Sequence, residues 1–189
     1  MKVVGISGSL RGKSNTLQYV TAALKVLDQN GFETELISLR GKEIKPCNGC
    51  YDCVEKGYCT IKDDDFEGIL GKMRDAEGLI LGSPVYLSSV VPQMMSLLAR
   101  ATFVAYWNDK FFSGKVGGPI TVARRAGHNV AFSQLLLWFF INGITVPGST
   151  YWNIAFGRDK GEVEKDEEGI GTMKLLGENM GWLLMRLNS

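Results

Sequence analysis

The chain has 189 residues, 45% of them apolar, which is enough to bury the core of one compact domain spanning 1–189. Its 21 basic and 20 acidic residues leave a net charge of +1, with no electrostatic footprint for nucleic acid and no polybasic patch for a membrane surface. No apolar run reaches the ~18 residues needed to span a bilayer, and residues 1–6 enter a strand pattern directly with no signal peptide, so a soluble cytoplasmic protein is expected.

Residues 3–7 form a short apolar run, followed by a glycine-bearing loop over 8–12. Helical spacing starts at Ser14, with Leu17, Val20, Leu24 and Leu27 on one face, and Gly31 closes it. Residues 32–39 predict a second strand. A cysteine-bearing loop follows, and Asp63, Asp64 and Asp65 then offer cap and first-turn carboxylates to a helix ending near residue 75. Residues 78–82 are continuously apolar, as in a strand covered on both faces. A helix over about 91–105, a strand over 116–123, a helix over about 129–142 and a fifth strand over about 143–147 come next. Residues 151–165 show no regular pattern. The last helix, about 168–187, repeats Met173, Leu176, Met180, Leu183 and Leu187.

This alternation predicts an α/β domain, a doubly wound five-stranded parallel sheet in the flavodoxin-like order 2-1-3-4-5 with helices on both faces. A ligand in such a sheet belongs at the carboxyl ends of the strands, where the order reverses. At the end of the first strand, Ser9, Arg11, Ser14, Asn15 and Thr16 can converge with free backbone N–H groups on a phosphate. A dinucleotide fingerprint, G-x-G-x-x-G, is absent. Gly12-Lys13-Ser14 matches the end of a Walker A loop, but Ser7 stands where its first glycine belongs. A monophosphate suits the hydroxyl-rich loop better.

After the third strand, Gly82-Ser83-Pro84-Val85-Tyr86-Leu87-Ser88-Ser89 offers an aromatic ring beside exposed peptide groups, which suits a flat heterocycle. The first loop and Gly-Ser-Pro-Val-Tyr together resemble the NADPH-dependent FMN reductase-like branch of the flavodoxin superfamily. Pro46-Cys47, Cys50, Cys53 and Cys59, followed by Asp63-Asp64, resemble more narrowly its iron–sulfur flavoprotein subgroup, as does the segment from Asp166 to Met173. The resemblance implies FMN, with its phosphate on Ser9, Arg11, Ser14, Asn15 and Thr16 and its ring against Pro84, Val85, Tyr86, Leu87, Ser88 and Ser89. It also implies a homodimer or homotetramer with the flavin near a subunit interface.

The four cysteines are the chain's whole complement and lie in one loop over 47–59, with the spacing C-x2-C-x2-C-x5-C. Such spacing lets neighbouring thiolates share one inorganic centre, and Gly49 and Gly57 allow tight folding around it. By resemblance Cys47, Cys50, Cys53 and Cys59 bind one [4Fe-4S] cluster. The run departs from the common ferredoxin pattern, with five residues before the last cysteine and Thr60 after it. A four-thiolate zinc site, a disulfide and plain buried thiols are the alternatives.

Elsewhere, Arg124 and Arg125 lie at the carboxyl edge of the fourth strand, and Arg124 is a candidate for the flavin or a nicotinamide phosphate. The sole histidine, His128, reads as a polar residue at a helix start. Trp138, Phe139 and Phe140 read as core or subunit interface. Tyr151 and Trp152 are candidates to cover a neighbouring subunit's flavin. The sequence therefore predicts an FMN-dependent oxidoreductase passing electrons between a [4Fe-4S] cluster, FMN and a small acceptor or ferredoxin-like partner, with NAD(P)H as a candidate co-substrate. The alternatives are a cluster-free NAD(P)H-dependent FMN or quinone reductase, and a non-catalytic flavin- or zinc-binding module.

Overall fold

The computed structural model describes residues 1–188. Its core is the parallel set β1 (Lys2–Ser7), β3 (Gly78–Tyr86) and β5 (Val116–Ala123), flanked by β2 (Glu33–Ser38) on one side and β6 (Ile154–Phe156) on the other. The sheet order is β2-β1-β3-β5-β6, and the two-residue β4 (Ser89–Val90) pairs antiparallel with the end of β3. Every residue of β5 and all but the first of β1 are buried, because helices cover both faces. On one face, α1 (Asn15–Gln29) and α6 (Glu167–Leu187) pack over Val3, Ile80, Ile120 and Val122. On the other, α3 (Phe66–Asp75), α4 (Pro92–Tyr106) and α5 (His128–Ile141) enclose Val4, Ile6, Leu79 and Leu81.

Close approach on the first face depends on absent side chains. A Cβ on Gly177 of α6 would lie 2.6 Å from the carbonyl oxygen of Ala23 on α1, so the two helix backbones approach closely at that point.

The sheet departs from the expected five strands ordered 2-1-3-4-5. Residues 143–147 form no strand; Thr145 makes only an isolated parallel bridge to Val116. Pro147 and Gly148 follow at once, and proline has no N–H with which to continue a ladder. The fifth parallel position is taken by β6, within the stretch read as irregular, in register Thr121 with Ile154 and Ala123 with Phe156. A 3-10 turn (Glu162–Lys165) follows it. Three residues are too few to carry a periodic signal. β4 was also unforeseen. Leu87 and Ser88 form the two-residue turn that joins it to β3, at φ of 51° and 62°, as a twist-matched hairpin requires.

The acidic run does more than cap a helix. Asp65 occupies the cap position of α3 without a side-chain cap bond and pairs instead with Lys42 Nζ at 2.8 Å. Asp64 accepts the Phe66 N–H and forms a buried ion pair with Arg100 of α4. A short helix, α2 (Asp52–Lys56), lies within the cysteine loop, entered through Tyr51 at φ 61° and left through Gly57 at φ 76°.

Candidate flavin cavity and cysteine pocket

A cavity of about 300 Å³ opens at the carboxyl ends of β1, β3 and β5. The first loop contributes Ser9, Arg11, Ser14, Asn15 and Thr16 to its wall; β3 contributes Pro84, Val85 and Tyr86, and the end of β5 contributes Val122, Ala123 and Arg124. The fold thus brings together nine of the twelve flavin-contact candidates. Leu87, Ser88 and Ser89 are not on that wall, and Leu87 projects fully into solvent from the hairpin turn.

Ser14 is the N-cap of α1, its Oγ accepting the Leu17 N–H at 3.1 Å. The first helical backbone bond runs from Gln18 N–H to the Ser14 carbonyl, so the N–H groups of Asn15 and Thr16 precede the helical ladder and are free for an anion. The Asn15 amide is already engaged. It donates to the Asp159 carbonyl at 2.9 Å and accepts from Val163 N–H at 3.4 Å. Arg11 Nη1 donates to the Arg158 carbonyl at 3.0 Å. Both side chains therefore strap the segment after β6 across the mouth of the first loop.

That segment, Gly157, Arg158, Asp159 and Lys160, forms the remaining wall and was missed from sequence. Its only signal was the short apolar run Ile154-Ala155-Phe156 ahead of Gly157. Four basic residues on the wall, Arg11, Arg124, Arg158 and Lys160, face a single acidic one, Asp159, in a chain whose charges otherwise balance. The cavity is built for an anion.

Behind it, β6 is pinned by one carboxylate. Asp166 Oδ2 accepts from Tyr19 Oη at 2.7 Å and from Phe156 N–H at 3.0 Å, while Oδ1 caps α6 by accepting from Gly169 N–H at 2.9 Å. Burial pushes the Asp166 carboxyl up, but those three donors outweigh it and hold it below the usual carboxylate range. His128 is buried, with Nε2 at 3.1 Å from Ala123 N and 3.0 Å from the Ala155 carbonyl, so it ties β5 to β6. Burial drives its pKa down. It is absent from the cavity wall, as is Arg125.

The cysteine loop makes a second, smaller site. All four thiols are free, and Cys47, Cys50, Cys53 and Cys59 border one narrow void with Ile61, Phe103, Val104 and Arg100. Cys53 and Cys59 are buried, Cys50 is exposed. Burial pushes the Cys53 thiol up, and the charges of Cys59, Cys50 and Cys47 add to that. Among the described residues no group of three or more Cys, His, Asp or Glu is arranged to hold a metal ion. Four soft sulfur donors around a void that Asn48, Thr60 and Arg100 also border nonetheless fit an iron–sulfur centre in ligand type.

Trp138 and Phe139 are buried, Trp138 Nε1 donating to the Leu98 carbonyl at 2.9 Å, whereas Phe140 is 84% exposed. Tyr151 and Trp152 pack on one another, half exposed, away from the cavity wall. No helix among the described residues is long and apolar enough to cross a membrane.

Comparison with known proteins identifies the family and the fold. The model of the NADPH-dependent FMN reductase family matches residues 1–159. An iron–sulfur flavoprotein of Methanocaldococcus jannaschii is 38% identical over 187 residues, 95% of each chain. One from Archaeoglobus fulgidus is 36% identical over 185 residues, 91% of each. Among solved structures, RosB with a bound formylated riboflavin phosphate intermediate superposes with a TM-score of 0.79 at 22% identity, covering 100% of this chain and 80% of its own. A WrbA-like flavodoxin from Agrobacterium tumefaciens gives 0.71 at 14% identity, covering 98% of both. These two likenesses speak to the flavodoxin-like fold. On the family model and the near-full-length relatives, the chain belongs to the NADPH-dependent FMN reductase family, in its iron–sulfur flavoprotein group, and is an FMN-dependent oxidoreductase.

Proposed function

We propose that the protein is a two-centre electron carrier, with FMN in the cavity at the strand ends and one [4Fe-4S] cluster held by Cys47, Cys50, Cys53 and Cys59. The observation that carries this reading is the convergence of all four cysteines, and no other ligand type, on one void in a chain that also builds a cationic flavin-sized cleft. FMN would supply hydride exchange with NAD(P)H or a small acceptor, and one-electron exchange with the cluster and a ferredoxin-like partner.

The chain's part is binding and orientation. The Ser9, Ser14 and Thr16 hydroxyls and the Asn15 and Thr16 N–H groups hold the phosphate at the start of α1, where the helix dipole favours an anion. Arg11 and Arg124 add positive charge. Pro84, Val85 and Tyr86 would support the ring, and the Leu87, Ser88 and Ser89 turn, off this cavity's wall, is proposed to contact the flavin of a neighbouring subunit. Tyr151 and Trp152 are candidates for a cover over a partner's flavin.

The protein is further proposed to work in the cytoplasm, whose reducing conditions suit four free thiols. It is proposed as a homodimer or homotetramer. Support comes from the outward face of α5, where Val130, Leu137, Phe140 and Ile141 are all more than half exposed.

A cluster-free reductase is the second reading, favoured by the lack of a ready metal-ion arrangement among the described residues. Anaerobic absorption spectra with iron and sulfide analysis decide between them. Flavin bands accompanied by equal iron and acid-labile sulfide support two centres. Flavin bands without iron, even after reconstitution, leave the reductase. Colourless protein that FMN does not protect against melting removes both.

A further inference from the structure

Arg100 is 1% exposed, on the third turn of α4, and its guanidinium is almost fully committed. Nη1 donates to the Lys45 carbonyl at 3.1 Å and to Asp64 Oδ2; Nη2 donates to the Ile61 carbonyl at 3.0 Å and to Asp64 Oδ1 at 3.4 Å. Its plane lies over the Phe66 ring, with Cζ 3.8 Å from the centroid. Four of the five N–H groups are thereby used. The fifth, on Nε, has no partner and is sealed from solvent.

Among the described residues only three buried side-chain polar atoms lack a partner, and the other two are hydroxyls, Ser7 and Thr121. A hydroxyl can rotate toward an acceptor; an Nε–H is fixed by the guanidinium plane. Leaving it unpaired is unfavourable, because the buried donor has given up its bond to water. Arg100 also borders the cysteine void. Of the other polar groups there, Thr60 donates to Asp52 at 2.9 Å and Asn48 Oδ1 accepts the Cys50 N–H at 3.2 Å. Both oxygens thus already hold a partner, and the four cysteine sulfurs are the most numerous acceptors on the lining.

We infer that Arg100 Nε–H is a built-in hydrogen-bond donor to a sulfur of the inorganic centre held by the four cysteines, and that it sets the centre's reduction potential. This rests on the cluster reading above. The centre carries net negative charge when four thiolates ligate it, and gains one more electron on reduction, with no bond broken and the proton remaining on Nε. A fixed donor at sulfur favours that reduced, more negative state. Asp64 balances the guanidinium, so the pair adds a directed dipole without a free buried charge. Lysine in place of Arg100 keeps the pairing charge but has no equivalent of the planar Nε–H.

The test compares wild-type protein with the R100K variant, both reconstituted anaerobically, by iron and sulfide analysis and by potentiometric titration followed by electron paramagnetic resonance. R100K is expected to hold wild-type iron, with the one-electron equilibrium shifted about tenfold toward the oxidised centre, or about 59 mV lower. The flavin potential should stay unchanged. Equal iron with an unchanged centre potential overturns the inference while leaving the cluster reading intact. Wild-type protein that takes up no iron overturns both. Should R100K not fold, the reduced wild-type protein grown with 15N-arginine serves instead. Pulsed resonance should show an arginine nitrogen coupled to the centre, and its absence rejects the assignment.

Discussion

His128 is the only histidine in the chain, so one imidazole can be read without interference. Burial lowers its pKa in the folded protein below the ordinary 6.5. As the pH falls through 6.5, the unfolded chain takes up a proton that the folded chain refuses, and stability is lost from there down to the folded value. Urea midpoints measured between pH 7.5 and 5 should therefore fall, and H128Q should flatten the part of that slope near 6.5. Asp166 gathers three donors on one carboxylate. In D166N an amide N–H₂ must face a donor, so a loss of about 1–3 kcal/mol is expected on urea unfolding. FMN titration should also show weaker binding, because the freed β6 carries the wall at Arg158 to Lys160.

At the scale of elements, the contact of α1 with α6 tests packing against propensity. G177A gains up to about 1 kcal/mol of helix propensity, but its methyl would meet the Ala23 carbonyl at 2.6 Å. A backbone atom cannot swing aside as a side chain does, so overpacking of about 1–3 kcal/mol should win, and the variant should melt earlier. The same elements show what a sequence reveals. The continuous apolar run at the start of β3 and the amphipathic period of α1 declared themselves, because burial of both strand faces or of one helix face constrains residue type. β6 did not, because its place is decided by His128 and Asp166, contacts 27 and 10 residues distant in sequence. The Arg100–Asp64 pair was equally hidden; an aspartate after the cysteines looks like a cap until α4 is seen to lie over it. The first loop's place on the cavity wall was legible because its composition is local, whereas the dual use of Asn15 and Arg11 as straps depends on a segment that only the fold brings near.

For the molecule as a whole, the outer face of α5 is a broad apolar surface left open to solvent. Phe140 is 84% exposed and Leu137 66%, on a helix apolar around its circumference. If copies of the chain assemble there, F140E should shift the protein to a smaller species in sedimentation. An unchanged sedimentation coefficient would place the contact elsewhere.

The straps between Arg11 and Arg158 join positions 147 residues apart. A ribosome adding roughly 5–20 residues per second exposes the first loop about 7–30 s before the opposing cavity wall is even synthesised. If FMN binds in this cavity as proposed, nascent chains pass through an interval with a half-built cradle, and retention should begin only once translation has passed β6. Cofactor loading is thereby tied to the closing phase of synthesis, and ribosome-bound intermediates stalled before residue 154 should emerge without flavin.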